Sequence, residues 1–278
     1  MLSNSSDRSP KAFGGPNWPE YFIEAAGLGL FMISASVFAV LLEHPSSPVR
    51  SALPNALLRR TIMGLAMGTT AIALIYSPWG KRSGAHFNPA VTLTFFRLGK
   101  VAPRDLLGYV CAQFVGGALG MAGAAAAMRP WLAHPAVRYV VTQPGVAGVA
   151  GAFAAEFAMT FLLMIIVLAF SNTPRLAGCT GLAAGGCVAL FIAFEAPLSG
   201  MSLNPARTLA SAIASRDTTA LWVYFTAPPL GMLAAAAAYR ARRGASPVKC
   251  AKLQHPGGVR CIFCEYALGK LIPEAPRP

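Results

Sequence analysis

Residues 83–93 read SGAHFNPAVTL and residues 199–209 read SGMSLNPARTL, the same S-G-x-x-x-N-P-A-x-T-L frame written twice at a spacing of 116. The flanks repeat with it. YVCAQFVGGALG from Tyr109 pairs with YFTAPPLGMLAA from Tyr224, aligning Tyr, Ala and Gly, and the first helix of each half is expected to carry one buried acid, Glu24 and Glu156. A chain that repeats itself at this distance is built from two structurally equivalent halves.

The composition says where those halves reside. Of 278 residues, 55% are hydrophobic and only 12% charged, with a mean hydropathy of +0.53, whereas soluble domains carry about a quarter charged residues. Six apolar stretches, at 25–42, 57–75, 106–128, 146–170, 176–194 and 218–239, reach or approach the roughly 20 residues that span a hydrocarbon core. Each half holds three of them. An odd number of crossings makes the two halves enter the bilayer from opposite sides, as inverted copies. The expected fold is an all-α membrane protein of six transmembrane helices plus two re-entrant half-helices in two inverted repeats.

The half-helices are the N-P-A segments, since neither apolar run there is long enough to span. Asn is a preferred N-cap and Pro suits the first helical turn, so Asn88-Pro89-Ala90 and Asn204-Pro205-Ala206 mark helix starts. Gly84 and Gly200 before them suit tight re-entrant turns. Entering from opposite faces, the two N-termini meet near the midplane with their positive dipole ends converging. Non-helical backbone at that depth is tolerated only inside protein or along a watery cavity, which implies a pore. Glu24 and Glu156 read as scaffold acids, each accepting hydrogen bonds from the re-entrant loop of its half rather than relaying protons.

With these residues in place, the chain resembles the major intrinsic proteins, the aquaporins and aquaglyceroporins, over residues 21–240. The tandem SGAHFNPAVT and SGMSLNPAR motifs, with Arg207 directly after the second N-P-A, carry the resemblance. It implies homotetramers with one pore per subunit, and selectivity by donors, diameter and an electrostatic barrier. It also implies a narrow filter of four positions, carried over here to Met67, Ile192, Met201 and Arg207; Gly68 is the alternative to Met67, because the loop YSPWGKRSGAHF is one residue longer than the usual pattern. Strict water channels place an aromatic residue and a His in that filter, and this chain does not. Thr208 and Ala212 stand where glycerol channels favour Asp and a basic residue, while Tyr224 and Phe225 are aromatic as in water channels. The implied function is a passive channel for water together with small uncharged solutes that excludes protons and ions. The alternative is an aquaglyceroporin-like channel mainly for glycerol or another small neutral solute.

Other classes fit less well. An ion-coupled transporter with inverted repeats needs paired acids along its path, and a membrane-embedded enzyme needs a nucleophile and base together; His86, the His near the pore, has no evident partner in the sequence. No cofactor is implied for the membrane part. The net charge of +13 is dispersed over short loops, which argues against nucleic acid and for a bilayer partner.

Placing both termini on the cytoplasmic side puts sixteen Lys and Arg there: Arg8, Lys11, Lys81, Arg82, Arg97, Lys100, Arg104, Arg175, Arg240, Arg242, Arg243, Lys249, Lys252, Arg260, Lys270 and Arg277. Six, Arg50, Arg59, Arg60, Arg129, Arg138 and Arg216, fall on the other, with Arg207 inside. The bias orients the chain as a multi-pass protein of the cell membrane with both termini cytoplasmic. The polar start (Asp7, Arg8, Pro10, Lys11, Pro16) lacks the apolar core of a cleavable signal peptide. The organisation is thus a polar segment at 1–20, a first inverted repeat at 21–145, a second at 146–240, and a basic Cys-containing tail at 241–278. Cys111, Cys179 and Cys187 are packing residues of the membrane part. The tail reads two ways. Its small apolar content and non-standard spacing favour a disordered tail with incidental cysteines, while Cys250, His255, Cys261 and Cys264 are enough ligands for a tetrahedral zinc site. In a reducing cytoplasm a disulfide clip is not expected.

Overall fold

In lipid every backbone N–H and C=O needs an internal partner, so apolar runs of this length become helices. The computed structural model, which describes residues 15–244, 248–255 and 260–269, is mainly helical in its membrane part, with non-helical backbone at 84–88 and 200–204. Asp7, Arg8, Pro10, Lys11, Lys270 and Arg277 lie outside the described residues. The membrane helices are α1 (Trp18–Glu43), α2 (Ala56–Tyr76), α4 (Pro103–Leu132), α5 (Gly148–Ser171), α6 (Thr180–Phe194) and α8 (Leu221–Arg243); between them lie the half-helices α3 (Pro89–Arg97) and α7 (Pro205–Ser215). Helix α1 begins seven residues before its apolar stretch, with Pro19 in the first turn where its missing N–H costs nothing.

The inverted repeat is visible in who packs on whom. Helix α1 lies along α4 and α5 along α8, the first and third helices of each half, while α2 and α6, the two second helices, cross each other. Each half-helix packs chiefly on the third helix of the opposite half, α3 on α8 and α7 on α4. Backbones approach closely where side chains vanish: a Cβ on Gly116 would lie 2.1 Å from the Ala25 carbonyl oxygen, and one on Gly68 would lie 2.5 Å from that of Gly185. Small residues at such contacts drive helix association in lipid.

The outer surface is apolar, with Phe22, Leu65, Leu107, Leu119, Leu190 and Phe194 exposed, as befits contact with lipid or a neighbouring chain. Ion pairs collect at the two ends, Arg59–Glu43 (3.1 Å) and Arg138–Asp217 (3.0 Å) at one, Arg82–Glu20 and Arg260–Glu265 (both 3.0 Å) at the other.

The tail departs from the reading as a disordered appendage. Val248, Cys250, Ala251, Leu253, Cys261, Ile262 and Phe263 are buried in the same cluster as the first re-entrant loop, and a further helix, α9 (Ile262–Gly269), follows Cys261. Few apolar residues suffice because they land on a surface the membrane part already presents.

Candidate functional site

Asn88 and Asn204 cap the half-helices as their position demands. The side-chain oxygen of Asn88 accepts from Ala90 N at 2.8 Å; that of Asn204 accepts from Ala206 N at 3.0 Å and Arg207 N at 3.3 Å. The amide nitrogens then cross over. Asn88 Nδ2 donates to the Leu203 carbonyl and Asn204 Nδ2 to the Phe87 carbonyl, each at 2.8 Å. The two helix starts are therefore joined to each other at the junction.

The loops leading into them are strained alike. Gly84 and Gly200 turn with φ of 100° and 77°, and Ala85, Phe87, Met201 and Leu203 also sit in the left-handed region, at 57°, 46°, 51° and 59°. Non-glycine residues there cost about 1–3 kcal/mol each and persist only when their surroundings impose them. The buried acids do so. Glu24 accepts from Ser83 Oγ (2.7 Å), His86 N (3.1 Å), Phe87 N (2.6 Å) and Gln113 Nε2 (2.8 Å). Glu156 accepts from Ser199 Oγ (2.7 Å), Ser202 N (2.6 Å) and Leu203 N (2.8 Å). With every contact supplied by a donor, both acids hold their loops as acceptors, the arrangement expected of scaffold acids. Tyr109 and Tyr224, paired by the repeat, donate to the carbonyls of Ser83 (2.7 Å) and Ser199 (2.6 Å). The acid clamps differ at one position: Gln113 aligns with Pro228, so Glu156 has no side-chain amide donor among the described residues.

A cavity of about 460 Å³ runs along this junction. It extends from Glu43 and Arg60 past Met67, Ile192, Met201 and Arg207, then past Asn204 and Asn88 to His86 and Leu253. All four residues carried over as the filter line it. Met67 lines the cavity while Gly68 is pressed against Gly185. Most of the lining is apolar. Against it, Arg207 Nη1 is a buried donor with no hydrogen-bond partner among the described residues, and such a group needs a polar visitor. Met63, one turn from Met67, and Arg60 also line the wall and were not singled out by sequence; their i, i+4 and i, i+7 spacing from Met67 on one helix was the available signal. Thr208 lies behind the wall, paired with Thr142 Oγ1 at 2.9 Å.

At the tail-side end, His86 does have partners. Its ring bonds Thr92 Oγ1 at 3.0 Å and the Ala251 carbonyl at 2.8 Å, and it stacks between Phe95 and Phe263, 5.3 and 5.4 Å away. The partner that sequence reading missed lies 165 residues away, with no local pattern pointing to it. Leu253 N donates to the Gly84 carbonyl at 3.1 Å. Beside these contacts the four tail donors converge: Cys250 Sγ and Cys261 Sγ are 3.4 Å apart, Cys264 Sγ and His255 Nε2 3.4 Å, and all four ligand atoms lie within 4.8 Å of one another. The hydrogen bond from Cys250 holds the Cys261 thiol below its ordinary pKa.

Two inverted halves closing on paired half-helix starts around a cavity define a class of membrane-protein fold. The family model described as "Major intrinsic protein" matches residues 16–239, and the chain belongs to that family. Aquaporin NIP1-3 of Oryza sativa subsp. japonica is 38% identical over 176 residues, 63% of this chain and 59% of that protein. Aquaporin NIP6-1 of Arabidopsis thaliana is 38% identical over 181 residues, 64% of this chain and 57% of that protein. The chain thus spans less than two thirds of the length of these two relatives. Aquaporin NIP1-1 of Zea mays is 32% identical over 220 residues, covering 79% of this chain and 70% of its own. Among solved structures, the aquaglyceroporin from Plasmodium falciparum shares the fold, with a TM-score of 0.65 at 22% identity over 80% of this chain and 95% of that one. With six helices long and apolar enough to cross a bilayer, the protein is a multi-pass membrane protein.

Proposed function

We propose that the protein is a passive channel that conducts water and small uncharged solutes and excludes protons and ions. The observation that carries this reading is Arg207 Nη1, a buried donor without a partner among the described residues, on a side chain that lines a cavity shared with both N-P-A asparagines. A solute entering among Met67, Ile192 and Met201 exchanges hydrogen bonds with little besides Arg207 and loop carbonyls, and unpaired polar groups are costly there. Water, being smallest, loses least. The positive ends of α3 and α7 converge with the Arg207 charge, which raises the energy of any cation in the file.

The apolar filter favours a second reading, a channel mainly for glycerol or another slender neutral solute, since flexible methionines adapt to an apolar flank. The family resemblance supports a homotetramer with one pore per subunit. The basic-residue bias supports the cell membrane with both termini cytoplasmic. Stopped-flow measurements on proteoliposomes test the reading. Faster osmotic shrinkage than empty liposomes, with an activation energy near that of water self-diffusion and no proton current, is expected; a proton flux comparable to the water flux would sink the mechanism. The ratio of glycerol to water permeability separates the two substrate readings.

A further inference from the structure

The tail cluster has the chemistry and the dimensions of a metal site. Three thiols and an imidazole are a borderline-soft donor set that suits Zn²⁺ rather than Mg²⁺ or Ca²⁺. Tetrahedral zinc, with Zn–S near 2.3 Å and Zn–N near 2.0 Å, holds its ligand atoms roughly 3.6–3.8 Å apart. The four donor atoms here, two pairs at 3.4 Å and all within 4.8 Å, surround a volume of that size. Cys261 lies immediately before α9 and Cys264 three residues on, so both sulfurs project from one side of its first turn. Cys250 and Cys261 are buried, while His255 is exposed and gives an ion access.

What lies between the ligands is as informative as the ligands. Ala251 and Leu253, bracketed by Cys250 and His255, are the residues that bind His86 and the Gly84 carbonyl, and Leu253 lines the cavity itself. Phe263, bracketed by Cys261 and Cys264, stacks on His86 at 5.4 Å with the planes 11° apart and is 1% exposed. Each ligand pair therefore fixes a residue set against the end of the cavity.

We propose that Cys250, His255, Cys261 and Cys264 bind one zinc ion, and that this ion fastens Ala251, Leu253 and Phe263 across the tail-side end of the cavity as a plug. The metal site stands on its own geometry; the plug rests on the channel reading. Metal binding that fixes the tail in the conformation seen against His86 and Gly84 adds its free energy to docking, and its removal loosens the tail.

Two measurements on the full chain separate these parts. Protein purified in detergent under reducing conditions, exposed to Zn²⁺ and dialysed, is expected to hold one zinc per chain by elemental analysis. Co²⁺ in its place is expected to show thiolate charge-transfer and tetrahedral visible bands. The C261S/C264S variant is expected to lose both signals, and H255A, whose side chain is exposed, to shift the Co²⁺ bands if the cysteine variant fails to assemble. Less than about 0.1 metal per chain, full metal retention in C261S/C264S, Co²⁺ bands unmoved in H255A, or a Cys250–Cys261 disulfide in place of metal overturns the site. For the plug, water permeability is compared in proteoliposomes that are zinc-loaded, stripped with a membrane-permeant chelator, or made with chain ending at Arg243. Stripping is expected to raise permeability at least about fivefold, and zinc to restore the low rate only in the full chain. Equal rates in loaded and stripped full chain, both above empty liposomes, overturn the plug. Rates no higher than empty liposomes in all three, the shortened chain included, overturn the channel reading while leaving the zinc result intact.

Discussion

Removing the carboxyl group of Glu156 is expected to undo the second re-entrant loop before it disturbs any membrane helix. Glu156→Ala takes the acceptor from Ser199 Oγ, Ser202 N and Leu203 N together. The serine hydroxyl can turn elsewhere, but two buried backbone N–H groups are left unpaired at about 1–3 kcal/mol each. The direct cost is thus about 2–6 kcal/mol, a large share of the about 5–15 kcal/mol that holds a typical domain together. Met201 and Leu203, held at φ of 51° and 59°, lose the clamp that imposes those angles, and with them goes the carbonyl that Asn88 Nδ2 reaches. Glu156→Gln keeps one acceptor oxygen and strands about one N–H, so it should fall midway. Glu24→Gln should be milder by about 1 kcal/mol, since Gln113, whose side-chain oxygen is buried without a partner among the described residues, can rotate its amide to accept from the new one. Thermal midpoints followed by size exclusion in detergent, with water permeability on the same preparations, give the order Glu156→Ala worst, then Glu156→Gln, then Glu24→Gln. If Glu156→Ala matches the parent in both assays, the acid does not hold the loop. If Gln113→Leu fails to worsen Glu24→Gln, the amide-rotation argument is wrong.

Met201→His should lower the ratio of glycerol to water permeability by adding bulk and a donor at the cavity wall, and Arg207→Ala should raise it; an unchanged ratio in both would falsify their assignment to the constriction. Gly68→Leu should abolish assembly rather than tune permeability, because its Cβ alone would meet the Gly185 carbonyl at 2.5 Å, and a well-folded conducting variant would show that α2 and α6 do not meet there. Asp217, held below the ordinary carboxylate range chiefly by the Thr219 backbone N–H and also paired with Arg138, contributes stability that is full above that range and fades as pH falls through its lowered value. Asp217→Asn should therefore flatten the acid side of a thermal-midpoint profile taken from about pH 6 to pH 3, and an unaltered profile would remove Asp217 from the account.

The fold was legible because its decisive features are local and duplicated. Asn before Pro names a helix start from adjacent residues alone, and the repeat turned one such start into two that had to meet. The pairing of Ser83 with Ser199 and of Tyr109 with Tyr224 followed the same frame, and each pair makes equivalent bonds. Position along a helix was harder. Met67 and Gly68 are neighbours in sequence but a helix turns about 100° per residue, so only the packing of Gly68 against Gly185 decides which one faces the cavity. The tail was least legible. Its order depends on Phe263 and Ala251 fitting against His86, a contact between distant segments whose hydrophobicity gives no periodic signal.

The crossed amide bonds between Asn88 and Leu203 and between Asn204 and Phe87 set a timetable for biosynthesis. The residues of the first bond are 115 positions apart, so at roughly 5–20 residues per second the ribosome needs on the order of 6–23 s after making Asn88 before its partner exists. Through that interval the first half waits in the membrane with its helix start capped but its outward amide unanswered. Neither half can mature alone. Two fragments split at the connection between α4 and α5 should each remain protease-sensitive when expressed singly and become protected when made together.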